Sequence, residues 1–127
     1  MTGSSSNDSI IVMKFGGTSV QTEESRRHVI KHIRRNVESG KKVVAVVSAM
    51  GRKGDPYATD TLISFLKDIG EPVNPAELDS VMSIGERLSS AYFSHLLTMN
   101  GMPSAAFTGG RAGILTDDNP GNAEILE

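Results

Sequence analysis

The chain has 127 residues, of which 38% are hydrophobic and 22% are charged, and its formal net charge at pH 7 is −2. These values are typical of one soluble globular domain, and they argue against a nucleic-acid-binding protein, which would carry a basic field. The absence of cysteine excludes disulfides, thiolate catalysis and cysteine-ligated zinc, and it is consistent with a cytoplasmic protein.

The N-terminal segment, residues 1–9, is polar and lacks the basic and apolar regions of a signal peptide. It predicts a flexible tail, with the folded portion over residues 10–127. No apolar run approaches the roughly 20 residues of a membrane span, so we expect no membrane association.

The first predicted elements form a βαβ unit. Ile10–Phe15 predicts a strand, because its first four residues, Ile10–Met13, form an apolar segment typical of a buried strand. Thr22 is a suitable N-cap for a helix with an apolar stripe at helical spacing, and Gly40 is expected to end that helix. Val43–Val47 predicts a second strand that is apolar on both faces, as in parallel sheets covered by helices on both sides.

The carboxyl ends of parallel strands lie at one edge of a sheet, so Gly16–Ser19 and Ser48–Gly51 should face one crevice. Glycines allow close backbone approach to a ligand, and free N–H groups in such a turn bind anions. Lys14 adds a positive charge beside them. The pattern favours a phosphate site, although an unliganded turn with a solvated lysine has the same residues. Neither a Walker A motif nor a dinucleotide fingerprint occurs.

Further helices are predicted in the second half. A polar loop over Gly51–Thr59 precedes a helix that should end at Gly70. Asn74, followed by proline, is a strong start for another helix, which should end at Asn100. Gly85 is expected to break or kink that helix.

Two short strands, Ser104–Phe107 and Ile114–Thr116, are predicted around a glycine-rich turn. Arg111 in this turn either reaches the crevice or is exposed. His28 and His32 share a helix face, but no further metal ligand is visible, and we predict a solvated basic face rather than a metal site. The basic residues of that face are Arg26, Arg27, Lys31, Arg34 and Arg35.

Three stretches together resemble the aspartokinases of the amino-acid kinase superfamily. They are Lys14–Val20, Val46–Gly51 and Ser83–Arg87. Residues 52–60 look most like the diaminopimelate-regulated aspartokinase I type of bacilli. The resemblance runs from Ile10 to the C-terminus, and it implies a three-layer α/β/α amino-acid kinase fold with a mainly parallel sheet, of which this chain is the N-terminal part.

The resemblance implies transfer of the γ-phosphoryl group of ATP to the β-carboxylate of L-aspartate, the first step of lysine, threonine, methionine and diaminopimelate biosynthesis. It implies Mg²⁺ bound through the nucleotide phosphates, and a cytoplasmic homo-oligomer for the full-length protein. A carboxylate is already nucleophilic at neutral pH, so catalysis should come from positioning and charge neutralisation.

The resemblance also assigns roles to individual residues. Lys14 matches the catalytic lysine that stabilises the transferring phosphoryl group. The resemblance implies that the ATP phosphates are bound by Lys14, Phe15, Gly16, Gly17, Thr18 and Ser19. It implies that aspartate is bound by Ser48, Thr59 and Glu86. Without the resemblance, Ser48 could cap a strand end and Glu86 could be a helix-start carboxylate favoured by the helix dipole.

Aspartokinases carry a second, nucleotide-binding half with an Arg-Gly-Gly-Ser-Asp-type segment, and nothing like it occurs here. We therefore expect an N-terminal fragment of an enzyme, inactive by itself. The alternatives are a non-catalytic ligand-binding or assembly module with the same fold, and another amino-acid kinase such as acetylglutamate kinase.

Overall fold

The computed structural model describes residues 9–127, so the tail predicted for residues 1–9 lies, apart from Ser9, outside the described residues. The elements in chain order are β1 (Ile10–Phe15), α1 (Glu23–Glu38), β2 (Lys42–Val47), α2 (Thr59–Lys67) and α3 (Pro75–Met99). A short 3-10 helix over Gly17–Val20 lies between β1 and α1. No helix within residues 9–127 has both the length and the apolar character needed to cross a membrane.

The two strands form a parallel pair, which confirms the predicted βαβ unit. Their register runs from Ile10 opposite Lys42 to Phe15 opposite Val47. Beyond the last pair, the Ser48 N–H donates to the Phe15 carbonyl oxygen at 3.1 Å. The loops that follow β1 and β2 therefore start side by side at the same edge of the sheet.

Helix α1 begins and ends where its sequence predicts. The Thr22 hydroxyl accepts a hydrogen bond from the Ser25 N–H at 3.1 Å, and the Thr22 N–H donates to the Ser25 hydroxyl at 3.0 Å. This reciprocal pair satisfies N–H groups that a helix start leaves free. Gly40 follows the helix with φ of 84°, a conformation that glycine adopts without a Cβ penalty.

The helices α1 and α3 pack on the same face of the strand pair, because the inward side chains of both strands contact their core. The core consists of Val20, Val29, Ile30, Ile33, Phe93, Leu97 and Met102. On the opposite face Val44 and Val46 are 49% and 46% exposed. The prediction that helices cover β2 on both sides is therefore wrong for the described residues, although the parallel α/β arrangement is confirmed.

Arg26 does not belong to a solvated face, contrary to the sequence-based prediction. Its Nη1 atom donates to the carbonyl oxygens of Val20 and Gln21 at 3.0 and 2.9 Å. Its guanidinium lies over the Tyr92 ring, 5.3 Å from the centroid. Arg26 thereby connects α1 to α3 and to the end of the 3-10 helix.

Helix α3 is one continuous helix of 25 residues, so the predicted break at Gly85 does not occur. Its start at Asn74 is confirmed, since the Asn74 side chain accepts from the Ala76 N–H at 2.9 Å. Gly85 is buried, and a Cβ there would lie 2.7 Å from the Tyr57 carbonyl oxygen. The glycine thus allows α3 to pack closely against the preceding loop, and this packing offsets its low helix propensity.

The C-terminal residues depart from the predicted strands. Ser104–Phe107 forms no strand. The predicted strand Ile114–Thr116 is reduced to one antiparallel bridge between Thr116 and Ile125, next to backbone hydrogen bonds of Leu115 with Leu126 and Glu127. Ser104 instead exchanges hydrogen bonds with Ser94 of α3, at 3.1 and 3.2 Å. A strand needs a neighbouring backbone to pair with, and within residues 9–127 no other segment pairs its backbone with Ser104–Phe107.

Candidate functional site

A crevice of about 520 Å³ lies at the carboxyl edge of the strand pair. Its walls include the turn after β1, residues Gly16–Ser19, which we call the glycine loop. Ser48, Thr59 and Glu86 also line it. Residues that the sequence places far apart therefore meet at one crevice, as the parallel βαβ geometry predicts.

The two glycines of the glycine loop have different surroundings. A Cβ at Gly16 would meet no atom within 4 Å, so open space lies beside its backbone. A Cβ at Gly17 would lie 3.1 Å from the carbonyl oxygens of Ala49 and Gly51. Gly17 thus permits the glycine loop to approach the loop after β2, whereas Gly16 leaves room for a ligand.

Lys14 and Phe15 are not among the residues that line the crevice. Because side chains alternate along a strand, Phe15 points inward and packs against the core, and Lys14 lies exposed on the uncovered face of the sheet. The Phe15 carbonyl oxygen accepts the hydrogen bond from Ser48. The structure thus brings together the glycine loop and the predicted aspartate-binding residues, but not these two side chains.

Glu86 lines the crevice from the middle of α3, about three turns beyond the helix start at Pro75. The alternative that Glu86 is a helix-start carboxylate is therefore wrong. The dipole explanation for this carboxylate also fails, because the effect is confined to the first turn of a helix. The close packing of Gly85 on Tyr57 places the next residue, Glu86, at the crevice wall.

Ser48 and Thr59 reach the crevice from two different elements. Ser48 follows β2, and its hydroxyl makes no hydrogen bond to the rest of residues 9–127, which leaves it available to a ligand. Thr59 is the first residue of α2, and its side chain is half-buried after the buried Ala58.

Two charged residues of the crevice were missed by the sequence reasoning. Arg52 lines it from the loop after β2, and Asp60 lines it from the first turn of α2. The Arg52 Nη2 atom donates to the Thr18 hydroxyl at 2.7 Å. Arg52 lies four residues after Ser48, and Asp60 directly follows Thr59. Their closeness in sequence to these two predicted site residues is the feature that could have indicated them.

Residues 51–58, which we call the Arg52 loop, are connected through Asp55 to Gln21, which follows the 3-10 helix of the glycine loop. One oxygen of Asp55, Oδ2, accepts from the Gln21 side-chain amide at 3.0 Å and from the Arg52 N–H at 2.8 Å. The Gly51 N–H also donates to the Gly17 carbonyl oxygen at 3.4 Å. The two loops therefore form one connected unit.

Further hydrogen bonds order the Arg52 loop internally. The Asp55 N–H donates to the Arg52 carbonyl oxygen at 2.9 Å, and the Ala58 N–H donates to that of Asp55 at 3.2 Å. The Gly54 N–H donates to the Thr61 hydroxyl at 3.0 Å. This loop is irregular, but most of its backbone N–H groups have acceptors within the described residues.

Arg111 was predicted either to reach the crevice or to be exposed, and it is exposed. Its guanidinium lies over the Phe107 ring, 5.5 Å from the centroid, and it does not line the crevice. Residues 9–127 contain no group of three or more His, Cys, Asp or Glu side chains that could hold a metal ion.

The chain is similar in sequence to known proteins of one family. Residues 9–127 match the model of the amino acid kinase family. The chain is 50% identical over 118 residues to Aspartokinase 1 of Bacillus subtilis (strain 168), covering 93% of this chain and 29% of that protein. It is 40% identical over 117 residues to an aspartokinase of Geobacillus stearothermophilus, covering 92% and 28%. The chain therefore spans less than a third of these relatives.

Among solved structures, the chain resembles the aspartate kinase from Synechocystis. The TM-score is 0.68 at 38% sequence identity, and the match covers 76% of this chain and 16% of that one. This likeness confirms the predicted α/β fold class with its parallel sheet.

Proposed function

The chain belongs to the amino acid kinase family, and we propose that it forms the part of an aspartate kinase that binds L-aspartate and holds the transferring phosphoryl group. The proposed reaction moves the γ-phosphoryl group of ATP to the β-carboxylate of L-aspartate and gives aspartyl 4-phosphate and ADP. The observation that carries the proposal is the shared crevice of the glycine loop, Ser48, Thr59 and Glu86.

The phosphate side of the proposed site is the glycine loop. Backbone N–H groups in a turn attract anions, and the open space beside Gly16 leaves room for a phosphate oxygen. The acceptor carboxylate needs no base, so the chain has to hold donor and acceptor in line and neutralise developing charge. Lys14 is proposed to supply positive charge from the end of β1.

The substrate side of the proposed site is acidic and hydroxylic. Glu86 is proposed to pair with the ammonium group of aspartate, because its carboxylate faces the crevice. The hydroxyls of Ser48 and Thr59 can donate hydrogen bonds to a substrate carboxylate without adding charge. The substrate is then recognised by both its positive and its negative groups.

The proposed cofactors are ATP and Mg²⁺. Mg²⁺ is commonly bound by one or two carboxylates together with substrate phosphates. We propose that the ion is bound through the nucleotide phosphates; with Glu86 paired to the ammonium group, Asp60 is the crevice carboxylate that would be left to contact it. When bound, the ion neutralises phosphate charge.

The acidic wall also separates the proposed substrate from its main competitor. Acetylglutamate carries an acylated, uncharged nitrogen, so Glu86 would face no ammonium group in that substrate. Against the acylated nitrogen the Glu86 carboxylate would lose hydration and gain no opposite charge, only a neutral hydrogen bond from the amide N–H. Glu86 therefore favours a free amino acid over an N-acetylated one.

The test uses the protein expressed from its complete open reading frame, called the full-length protein below. It is incubated with Mg-ATP and L-aspartate, L-glutamate or N-acetyl-L-glutamate, and acyl phosphate is trapped with hydroxylamine. We expect hydroxamate from L-aspartate and far less from the other acceptors. Product from N-acetyl-L-glutamate alone would overturn the substrate assignment, and no product from any acceptor would support the non-catalytic module.

A further inference from the structure

We propose that Arg52 is a phosphate-binding residue, whose guanidinium contacts the nucleotide phosphates beside the glycine loop. This inference rests on the proposed function, because the nucleotide is the ligand in question. According to this inference, the positive charge inside the crevice comes from the Arg52 loop, which is separate from strand β1 that carries Lys14.

The first observation is the position of the guanidinium. Arg52 lines the crevice, and its Nη2 atom donates to the Thr18 hydroxyl at 2.7 Å. This is the one hydrogen bond that its side chain makes within residues 9–127, whereas a guanidinium has five N–H donors in a planar fork. Donors therefore remain for a ligand while the group is held at the glycine loop.

The second observation is that the Arg52 backbone is fixed. Its N–H donates to Asp55 Oδ2 at 2.8 Å, and the same oxygen accepts from the Gln21 side chain at 3.0 Å. Gln21 directly follows the 3-10 helix that contains Thr18. Both ends of the arginine are thus anchored to one segment, which lowers the entropic cost of placing its charge.

The third observation is the charge of the crevice walls. Among the described residues that line it, Arg52 is the one cation, beside the carboxylates of Asp60 and Glu86. Lys14 lies on the uncovered face of the sheet. Without Arg52 the described walls would be negative, and a polyphosphate would meet repulsion.

The charges are also separated in space. Asp60 and Glu86 lie on the two packed helices α2 and α3. Arg52 instead lies against Thr18 of the glycine loop. An anion therefore fits best between Arg52 and the glycine loop, and an ammonium group fits best beside the helices. Arginine suits this place because its fork can bind a phosphate through two parallel hydrogen bonds.

The competing explanation is that Arg52 only ties the two loops together. A structural tie affects every ligand of the crevice, whereas a phosphate contact affects only ligands that carry phosphate. The chain offers two matched controls for this distinction. Gln21→Ala removes another tie between the same loops without changing charge, and Lys53→Ala removes the neighbouring cation, which does not line the crevice.

The experiment measures dissociation constants for ATP, ADP and adenosine in the full-length protein and in its Arg52→Ala, Arg52→Lys, Gln21→Ala and Lys53→Ala variants. A hydrogen bond to a charged group predicts roughly a ten-fold or greater weakening of ATP binding in Arg52→Ala. We expect adenosine binding to stay within about two-fold, which RT ln 2 makes about 0.4 kcal/mol. Arg52→Lys should recover part of the ATP affinity, and both controls should keep the ATP-to-adenosine ratio of the parent.

Equal weakening of ATP and adenosine binding in Arg52→Ala would overturn the inference in favour of a structural tie, and unchanged ATP binding would overturn it outright. The same preparations are assayed for aspartyl hydroxamate. A parent protein that binds ATP but does not phosphorylate aspartate removes the proposed reaction while the Arg52 test still stands. A parent that binds no ATP removes both.

Discussion

Gly85 of α3 and Tyr57 of the Arg52 loop meet through backbone, because a Cβ on Gly85 would lie 2.7 Å from the Tyr57 carbonyl oxygen. A backbone oxygen in an ordered loop cannot rotate away as a side chain can. The contact therefore sets the separation between α3 and the loop, and with it the position of Glu86.

We predict that Gly85→Ala destabilises the full-length protein by about 1–2 kcal/mol. Alanine gains about 1 kcal/mol of helix propensity, but overpacking against a backbone atom at 2.7 Å costs about 2–3 kcal/mol, the upper part of the usual range. The same displacement should raise KM for aspartate. Urea unfolding monitored by circular dichroism measures the loss, with Gly110→Ala as the control because a Cβ there meets nothing within 4 Å. Equal stability of the two variants would contradict the packing argument.

Glu86→Gln should raise KM for aspartate by roughly 5- to 30-fold and leave KM for ATP nearly unchanged. The physical reason is that a charge-assisted hydrogen bond becomes a neutral one, a difference of about 1–2 kcal/mol. Steady-state kinetics with each substrate varied in turn provides the measurement.

Glu77→Gln is the matched control for Glu86→Gln. Glu77 lies in the first turn of the same helix and does not line the crevice. Its replacement should cost about 0.3–1 kcal/mol of stability through the helix dipole, with normal kinetics. An unchanged aspartate KM in Glu86→Gln would remove that residue from the proposed site.

Lys14→Ala should lower kcat by roughly 100- to 1000-fold, the typical effect of removing one preorganised charge-stabilising group. The expected effect on aspartate binding is much smaller, because the charge it meets develops on the transferring phosphoryl group. Lys42→Ala serves as control, since Lys42 lies on the same sheet face at the opposite end of the strands. Loss of affinity with kcat intact would identify Lys14 as a binding or surface residue.

Thr22→Ala should destabilise the protein by about 1 kcal/mol, because it leaves an N–H of the α1 start without its acceptor. Ser25→Ala removes the reciprocal partner, so the double variant should lose less than the sum of the two single losses. Unfolding of all four proteins in a double-mutant cycle measures this coupling. Strict additivity would show that the two bonds act independently.

The sequence predicts the βαβ unit well because its signals are local. Thr22 and Gly40 mark the ends of α1 through contacts within a few residues. The crevice also follows from a general rule, since parallel strands end at one edge. Ser48 and the glycine loop could therefore be placed together from the sequence alone.

The parts that were mispredicted depend on distant contacts. Gly85 reads as a helix breaker until its contact with Tyr57 is known. Arg52 looks like any loop cation, because its place at Thr18 depends on the bond between Asp55 and Gln21. Ser104–Phe107 has the composition of a strand, but a strand also needs a partner.

The hydrogen bonds of the Arg52 loop order it when the protein folds, so the entropic cost of ordering it is not part of ligand binding. The N–H groups of Gly51, Arg52, Gly54, Asp55 and Ala58 already have acceptors within the protein. Fixing a residue's backbone costs roughly 1–2 kcal/mol. A loop ordered only by its ligand would subtract that amount, residue by residue, from the affinity. Because the Arg52 loop is already ordered, the contacts that a ligand makes in the crevice determine its affinity directly. Differences in those contacts can then distinguish chemically similar ligands.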